Sequence, residues 1–251
     1  MELTKYERDR ERASLDKIYN GLAELAMLKR TEVRSDEVGF LLFVQKHLQE
    51  SKSQLLQDLF VMYELQEKPG GYFVEFGATN GVDSSNSYLM ETRYSWNGIL
   101  AEPGRIWHEQ LKKNRRCRID ERCVWRESGA HVEFNQVTEP ELSTIHAYSD
   151  TDRYSNSRTK GDRYLVETIS LNELLQEHGA PAEIDYLSID TEGSELDILS
   201  AFDFDRYRIK IVTCEHNFTE ARDKICALLT SKGYVRKFLT FSQNDDWYVK
   251  R

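Results

Sequence analysis

The chain has 251 residues, enough for one α/β domain with an N-terminal extension and tight for two full domains. Its 43 acidic residues against 34 lysines and arginines give a net charge of −9. That balance argues against a nucleic-acid partner, which needs a basic footprint, and suits neutral or cationic small molecules. The N-terminus Met1 to Arg10 reads as too charged for a signal peptide, and the longest apolar stretch, around Val38 to Val44, is too short for stable membrane insertion. Cys117, Cys123, Cys214 and Cys226 form no C-x-x-C pair, so reduced thiols in a cytoplasmic protein are expected rather than structural zinc.

In chain order, Leu15, Ile18, Tyr19, Leu22, Leu25 and Ala26 recur at helical spacing. They predict an amphipathic N-terminal helix that covers the main domain, closes over substrate or joins two copies as a homo-oligomer. A second helix is expected from Ser53 to Gln66, ended by Lys68-Pro69-Gly70-Gly71. The first strand then runs to Glu75-Phe76 and meets the turn Gly77 to Gly81. Ile99 to Ala101 forms a second strand ending at Glu102, followed by a helix from Ile106 to Lys113. The basic residues Lys112, Lys113, Arg115, Arg116, Arg118 and Arg122 read as a solvated helix end rather than a binding patch.

Strand character returns between Ile119 and Trp125 and from Val132 to Val137. Thr138 to Arg163 has no steady periodicity and is expected to be a long loop. Either it is functional, with His146, Tyr148, Tyr154 and Arg163 lining a polar pocket, or it is disordered until a ligand binds. Ser170-Leu171-Asn172-Glu173 is a capping box opening a helix that stops at Gly179. Tyr186 to Ile189 is a core strand ending at Asp190, and Ile209 to Cys214 another, ending at Glu215-His216-Asn217. Thr219 is expected to cap the next helix, and Val235 to Leu239 with Trp247 to Val249 make a final strand pair. This alternation predicts a Rossmann-like, mostly parallel sheet with helices on both faces.

The turn after the first strand reads E-x-G-x-x-x-G, with Thr79 where a dinucleotide fingerprint needs its second glycine. That argues against NAD. Glu75 suits an amine-bearing ligand such as S-adenosylmethionine, and Glu102, about twenty residues beyond the turn, is spaced to accept ribose hydroxyls. Glu75, Glu102, Asp190 and Glu215 all end strands, where ligands collect in an open parallel sheet.

From Gln54 to Val249 the chain resembles the FkbM-type methyltransferases, class I S-adenosylmethionine-dependent enzymes. The resemblance is carried by Gln57-Asp58, Gly71 to Gly81, Ser85-Asn86, Ile99 to Pro103, Ser188 to Glu195, Glu215-His216-Asn217 and Asp245 to Tyr248. It implies a seven-stranded sheet with the last strand antiparallel, in a catalytic domain over 54–251 preceded by a helical extension over 1–53. It also implies a cofactor site in which Glu75, Gly77, Asn80 and Gly81 hold the methionine part and Glu102 the ribose. The adenine falls near Asp120 to Val124, with Asn86 and Asp190 bordering the same site.

The implied reaction is O-methyl transfer to a sugar, glycan or glycosylated metabolite. A phenol, amine or protein side chain is the alternative acceptor, and a catalytically silent interaction module the alternative role. The acceptor's proton needs a base or a metal. Asp190, Glu192, Glu215 and His216 are the candidates, with His216 or Glu215 favoured as base. Asp190 and Glu215 together could instead hold a magnesium-like divalent cation. The structural alternatives are that Asp190 and Glu192 serve the following helix N-terminus and that His216 is an ordinary buried histidine.

Overall fold

A computed structural model describes residues 35–251. The expected helix from Leu15 to Ala26 lies outside the described residues. The chain divides into two compact units, Met1–His47 and Leu48–Arg251, six residues before the boundary expected from sequence. In the first unit, helix α1 (Ser35–His47) carries Asp36 and Glu37 in its first turn and Lys46 and His47 in its last, as the helix dipole favours.

The second unit holds helices α2 (Gln57–Glu64), α3 (Tyr88–Tyr94), α4 (His108–Asn114), α5 (Leu171–Glu177), α6 (Glu195–Ala201), α7 (Ala221–Ser231) and α8 (Leu239–Ser242). Its strands are β1 (Tyr72–Phe76), β2 (Asn97–Ala101), β3 (Arg118–Asp120), β4 (Cys123–Trp125), β5 (His131–Val137), β6 (Thr144–Ile145), β7 (Gly161–Ser170), β8 (Glu183–Ile189), β9 (Arg208–Glu215), β10 (Tyr234–Lys237) and β11 (Asp245–Lys250).

Seven strands form the main sheet in the order β10-β11-β9-β8-β1-β2-β3. Only β11 runs antiparallel to its neighbours. The strand order reverses between β1 and β8, so the carboxyl ends of β1, β2, β8 and β9 open onto one edge, the ligand-binding position of such sheets.

Side-chain alternation gives the sheet two covered faces. Val74 and Phe76 of β1, Leu187 and Ile189 of β8 and Val212 of β9 join one core with Leu174 of α5, Ile198 and Leu199 of α6 and Ile225 and Leu229 of α7. On the opposite face, Phe60 of α2 stacks on Trp247 of β11 with centroids 4.8 Å apart. Asp245 to Tyr248 therefore lies within the sheet, between β9 and β10, and not at its edge.

A second sheet, β4-β7-β5-β6, was not expected. Its long member β7 pairs antiparallel with β5 from His131↔Glu167 to Val137↔Gly161, so the Thr138–Arg163 segment is a hairpin connection whose end already belongs to a strand. Within it, Pro140–Leu142 and His146–Tyr148 are single 3₁₀ turns flanking β6. Thr219 also departs from expectation, because its hydroxyl donates to the His216 carbonyl and α7 starts beyond it at Ala221.

Half of the expected capping box forms: the Ser170 hydroxyl accepts the Glu173 amide at 3.3 Å, while the Ser170 amide donates to Ser128 Oγ at 2.8 Å and not to Glu173. Ser170→Ala is expected to cost about 1 kcal/mol of stability, measured as a lower urea midpoint with an unchanged slope. Among the described residues, no helix is long and apolar enough to cross a membrane.

Candidate active site

The turn after β1 is bent by glycines where the geometry demands them. Gly77 has φ +72°, and a Cβ there would meet the Asp190 carbonyl at 2.1 Å. The ends of β1 and β8 are therefore in backbone contact. Gly81, at φ +79°, leaves room for the Arg115 stem, which a Cβ would meet at 2.6 Å. Thr79 sits at φ +47°, an unusual region for a β-branched residue, and its amide donates to Glu102 Oε2 at 2.8 Å. Asn80 closes an Asx-type turn, its Oδ1 accepting the Val82 and Asp83 amides at 2.9 Å each.

Glu102 bridges β1 and β2 at this edge, since its other oxygen accepts the Gly104 amide at 2.7 Å. Each carboxylate oxygen retains a lone pair for a hydroxyl. Asn86 is buried under the same turn; its Nδ2 donates to Ser188 Oγ at 2.9 Å, while its Oδ1 has no partner among the described residues. An orphaned buried acceptor beside a glycine turn is what a polar ligand would satisfy. Val124 is packed in the main core, so it can offer only apolar contact, and Asp120 is occupied by Arg122 at 2.7 Å and His178 at 2.9 Å.

Glu75 behaves differently from the expectation of a ligand contact. Its carboxylate is buried and accepts the Asn86 amide at 2.7 Å, the Ser85 hydroxyl at 3.1 Å and the Ser87 hydroxyl. The basic stretch also differs from a solvated helix end. Arg115 is wholly buried, Lys112 pairs with Glu121, and Arg122 pairs with Asp120 and Glu177.

At the ends of β8 and β9, Asp190, Glu192 and Glu215 converge, with a carboxylate oxygen of each within 4.8 Å of the others. Glu192 is tied down by Arg158, whose buried guanidinium donates to it at 2.6 Å, to Asp152 at 2.8 Å and, through Nε, to the Leu142 carbonyl at 2.8 Å. Asn217 Nδ2 also donates to Glu192, at 3.1 Å. Glu195 binds the turn before α6, accepting the Thr191 and Gly193 amides at 2.9 and 3.0 Å. Asp190 and Glu215 are thus the carboxyls of this group without an arginine partner among the described residues.

His216, expected as one of the two favoured bases, is buried and engaged at the end of β9. Its Nδ1 accepts the Phe218 amide at 3.0 Å, which puts the proton of the neutral ring on Nε2, 3.7 Å from the Asp246 carboxylate. With one nitrogen engaged and the other protonated, no basic atom faces an acceptor. Burial lowers its pKa, with the Asp246 carboxylate opposing it.

The 138–160 connection does reach this edge. The Tyr148 side chain lies against Gly193, and its hydroxyl binds Asp197. His146 and Arg163 gather on Glu133 instead, at 3.8 and 3.7 Å. Arg158 and Arg115 are the residues that sequence reasoning missed; both are arginines within polar stretches whose burial is decided by carboxylates far away in the chain.

Residues 75–239, more than half of the chain, match the Methyltransferase FkbM domain family. The chain belongs to that family. Its class uses S-adenosylmethionine as methyl donor, so this FkbM-domain protein is an S-adenosylmethionine-dependent methyltransferase. No curated protein matches it. Among solved structures, it is similar to a precorrin-6y C5,15-methyltransferase from Geobacter metallireducens GS-15, with 11% identity and a TM-score of 0.39 over 76% of this chain and 85% of that one. It is also similar to a human methyltransferase 10 domain containing protein, with 10% identity and a TM-score of 0.39 over 87% and 96% of the two chains.

The FkbM site is electrostatically tense. Burial raises Glu102 to about 7, the Thr79 and Gly104 amides only partly opposing it. Burial and then the negative field of Asp190 raise Asp245 to about 8, although Gln57 donates to it at 2.8 Å. Both groups bind protons more tightly in the folded chain than in the unfolded one, where carboxyls titrate near 4. Folding stability should therefore fall as pH rises from about 4.5 to about 8. The thermal midpoint followed by circular dichroism should be higher at pH 5.5 than at pH 8.5, and Asp245→Asn should flatten that dependence.

Proposed function

We propose that this methyltransferase methylates a hydroxyl oxygen of a sugar, glycan or glycosylated metabolite. The observation that carries this reading is the backbone contact between Gly77 and Asp190, which sets a carboxyl pair with no arginine ion pair among the described residues, Asp190 with Glu215, directly beside the cofactor turn. Glu102, the Gly77–Gly81 turn and Asn86 are the residues that would hold the cofactor, with Val124 as apolar lining. When bound, S-adenosylmethionine supplies an activated methyl group.

What remains for the chain is to align the acceptor oxygen and take its proton. A sugar hydroxyl is a weak acid, so the base must be positioned and able to hold a proton near neutral pH. Asp190 fits this need: burial, then the charge of Glu195, raise it to about 7, and it remains partly exposed to an entering acceptor. Glu215 is buried more deeply and is pushed up by burial and by Asp190 itself. The pair gives up its first proton more readily than its second, so one proton is shared between the two carboxyls.

A divalent cation such as magnesium has a compatible donor set, since Asp190, Glu192 and Glu215 are all hard oxygen ligands. Arg158 already occupies one oxygen of Glu192, so such an ion would rest chiefly on Asp190 and Glu215.

The test is incubation of the full chain with methyl-labelled S-adenosylmethionine and a glycan-containing extract, with and without a chelator. Label on carbohydrate oxygen is the expected result, and label confined to protein or amines would sink the sugar reading. Loss of transfer in the chelator arm would assign the metal.

A further inference from the structure

The buried polar network beneath the glycine turn has its centre on α4 and the residue after it, outside every motif that marks the cofactor site. Arg115 has no exposed side-chain surface. Its Nη1 donates to the Gly81 carbonyl and to Ser85 Oγ, both at 3.0 Å, and its Nη2 to Ser87 Oγ at 2.8 Å. Its Nε donates to Glu91 at 2.6 Å. The neighbouring Asn114 adds Nδ2 to the Asn80 carbonyl at 2.9 Å. Ser85 and Ser87 donate their hydroxyl hydrogen bonds to Glu75, whose carboxylate lies 3.9 Å from the guanidinium.

We infer that Arg115 is the positioning residue of the cofactor turn, its planar fork fixing residues 81 to 87 from below, and that Glu75 is the internal anion of this network and not a contact for the cofactor. Three features carry the inference. The donors of Arg115 reach one backbone carbonyl and two hydroxyls of a single seven-residue segment, an arrangement a lysine ammonium cannot reproduce. The Arg115 stem fills the space that Gly81 leaves empty, with only 2.6 Å from its Cγ to where a Cβ would be. Glu75 is committed to three donors on that same segment and only 3% of its side chain is exposed. An amide or hydroxyl displaced by even 1 Å at such a site costs affinity, because the binding groups must be held before the ligand arrives.

The inference rests on S-adenosylmethionine chemistry at this turn but not on the acceptor or the base, and it is tested with S-adenosylhomocysteine as the probe. The full chain and its variants are titrated calorimetrically, and the fold of each is checked by thermal unfolding. Arg115→Lys should weaken binding by about tenfold or more, because the charge stays while the fork is lost. Glu75→Gln should change it by less than about threefold, since an amide can still accept the Asn86 N–H.

Arg115→Met alone leaves Glu75 as an uncompensated buried charge and risks unfolding. The double variant Arg115→Met/Glu75→Gln removes the Arg115–Glu75 pair, while Glu91, only partly buried, keeps the Arg116 amide at 2.7 Å; it is expected to fold, yet still to bind about tenfold or more weakly.

The opposite pattern, with Glu75→Gln crippling binding while Arg115→Lys and the folded double variant stay within about twofold of the parent, would overturn the inference and make Glu75 the ligand contact. A parent chain that binds no S-adenosylhomocysteine would remove the cofactor site altogether, an outcome distinct from parental affinity in the variants.

Discussion

Asp190→Asn is expected to lower methyl transfer by about 10²- to 10⁴-fold, the usual contribution of a positioned general base, while S-adenosylhomocysteine affinity stays near that of the parent. The carboxyl is partly exposed at the end of β8, and among the described residues its Glu215 neighbour at the end of β9 has no arginine paired with it. Asparagine keeps the shape and loses the basic oxygen. In the parent, the transfer rate under limiting acceptor should rise with pH as Asp190 gives up its proton, with a midpoint near the value of about 7 to which burial raises it. His216→Asn should leave that profile in place, because the Nδ1 of His216 already accepts the Phe218 amide. A folded Asp190→Asn protein with parental turnover would show that the proton leaves by another route.

The second large effect is at Gly77. Valine there needs φ +72° from a β-branched residue and drives its Cβ to 2.1 Å from the Asp190 carbonyl, an atom of the sheet backbone that cannot rotate away. The combined strain and overpacking are expected to cost about 3 kcal/mol or more and to abolish cofactor binding. Gly70→Ala is the control: its φ of +66° is equally left-handed, but a Cβ there meets nothing within 4 Å. It should cost only the conformational strain, about 1–2 kcal/mol, and leave binding intact. Urea unfolding of both variants beside S-adenosylhomocysteine titration separates the two terms; equal losses in the two would refute the steric argument.

The main sheet was legible because parallel strands buried on both faces read as short apolar runs, and β1, β2, β8 and β9 are of that kind. Their carboxyl ends were legible because each run stops abruptly at an acid: Glu102, Asp190 and Glu215, with Glu75 one residue from the end of β1. β7 was not legible. Its first half, Gly161 to Leu165, is mostly exposed and its apolar residues follow no strict alternation; it is a strand because β5 pairs with it and β4 flanks it on the other side.

The arginines escaped for a related reason. Charge runs are usually solvated, and nothing local in the sequence of Arg115 or Arg158 announces that Glu91, Glu75, Asp152 and Glu192 will surround them. Glu75 and His216 had the right residue types at the right strand ends, but Glu75 is buried and already accepts one amide and two hydroxyls, and His216 Nδ1 accepts one amide, a matter of turn geometry that spacing does not encode.

The measurement that bears most directly on the whole site is a crystal structure of the full chain with S-adenosylhomocysteine. The predicted result is a ligand whose ribose hydroxyls rest on Glu102 and whose amino-acid part lies on the Gly77–Gly81 turn with Asn86 Oδ1 satisfied, leaving Asp190 and Glu215 facing the open side. A ligand bound away from the β1 and β2 ends, or one that leaves Glu102 with only the Thr79 and Gly104 amides, would contradict it.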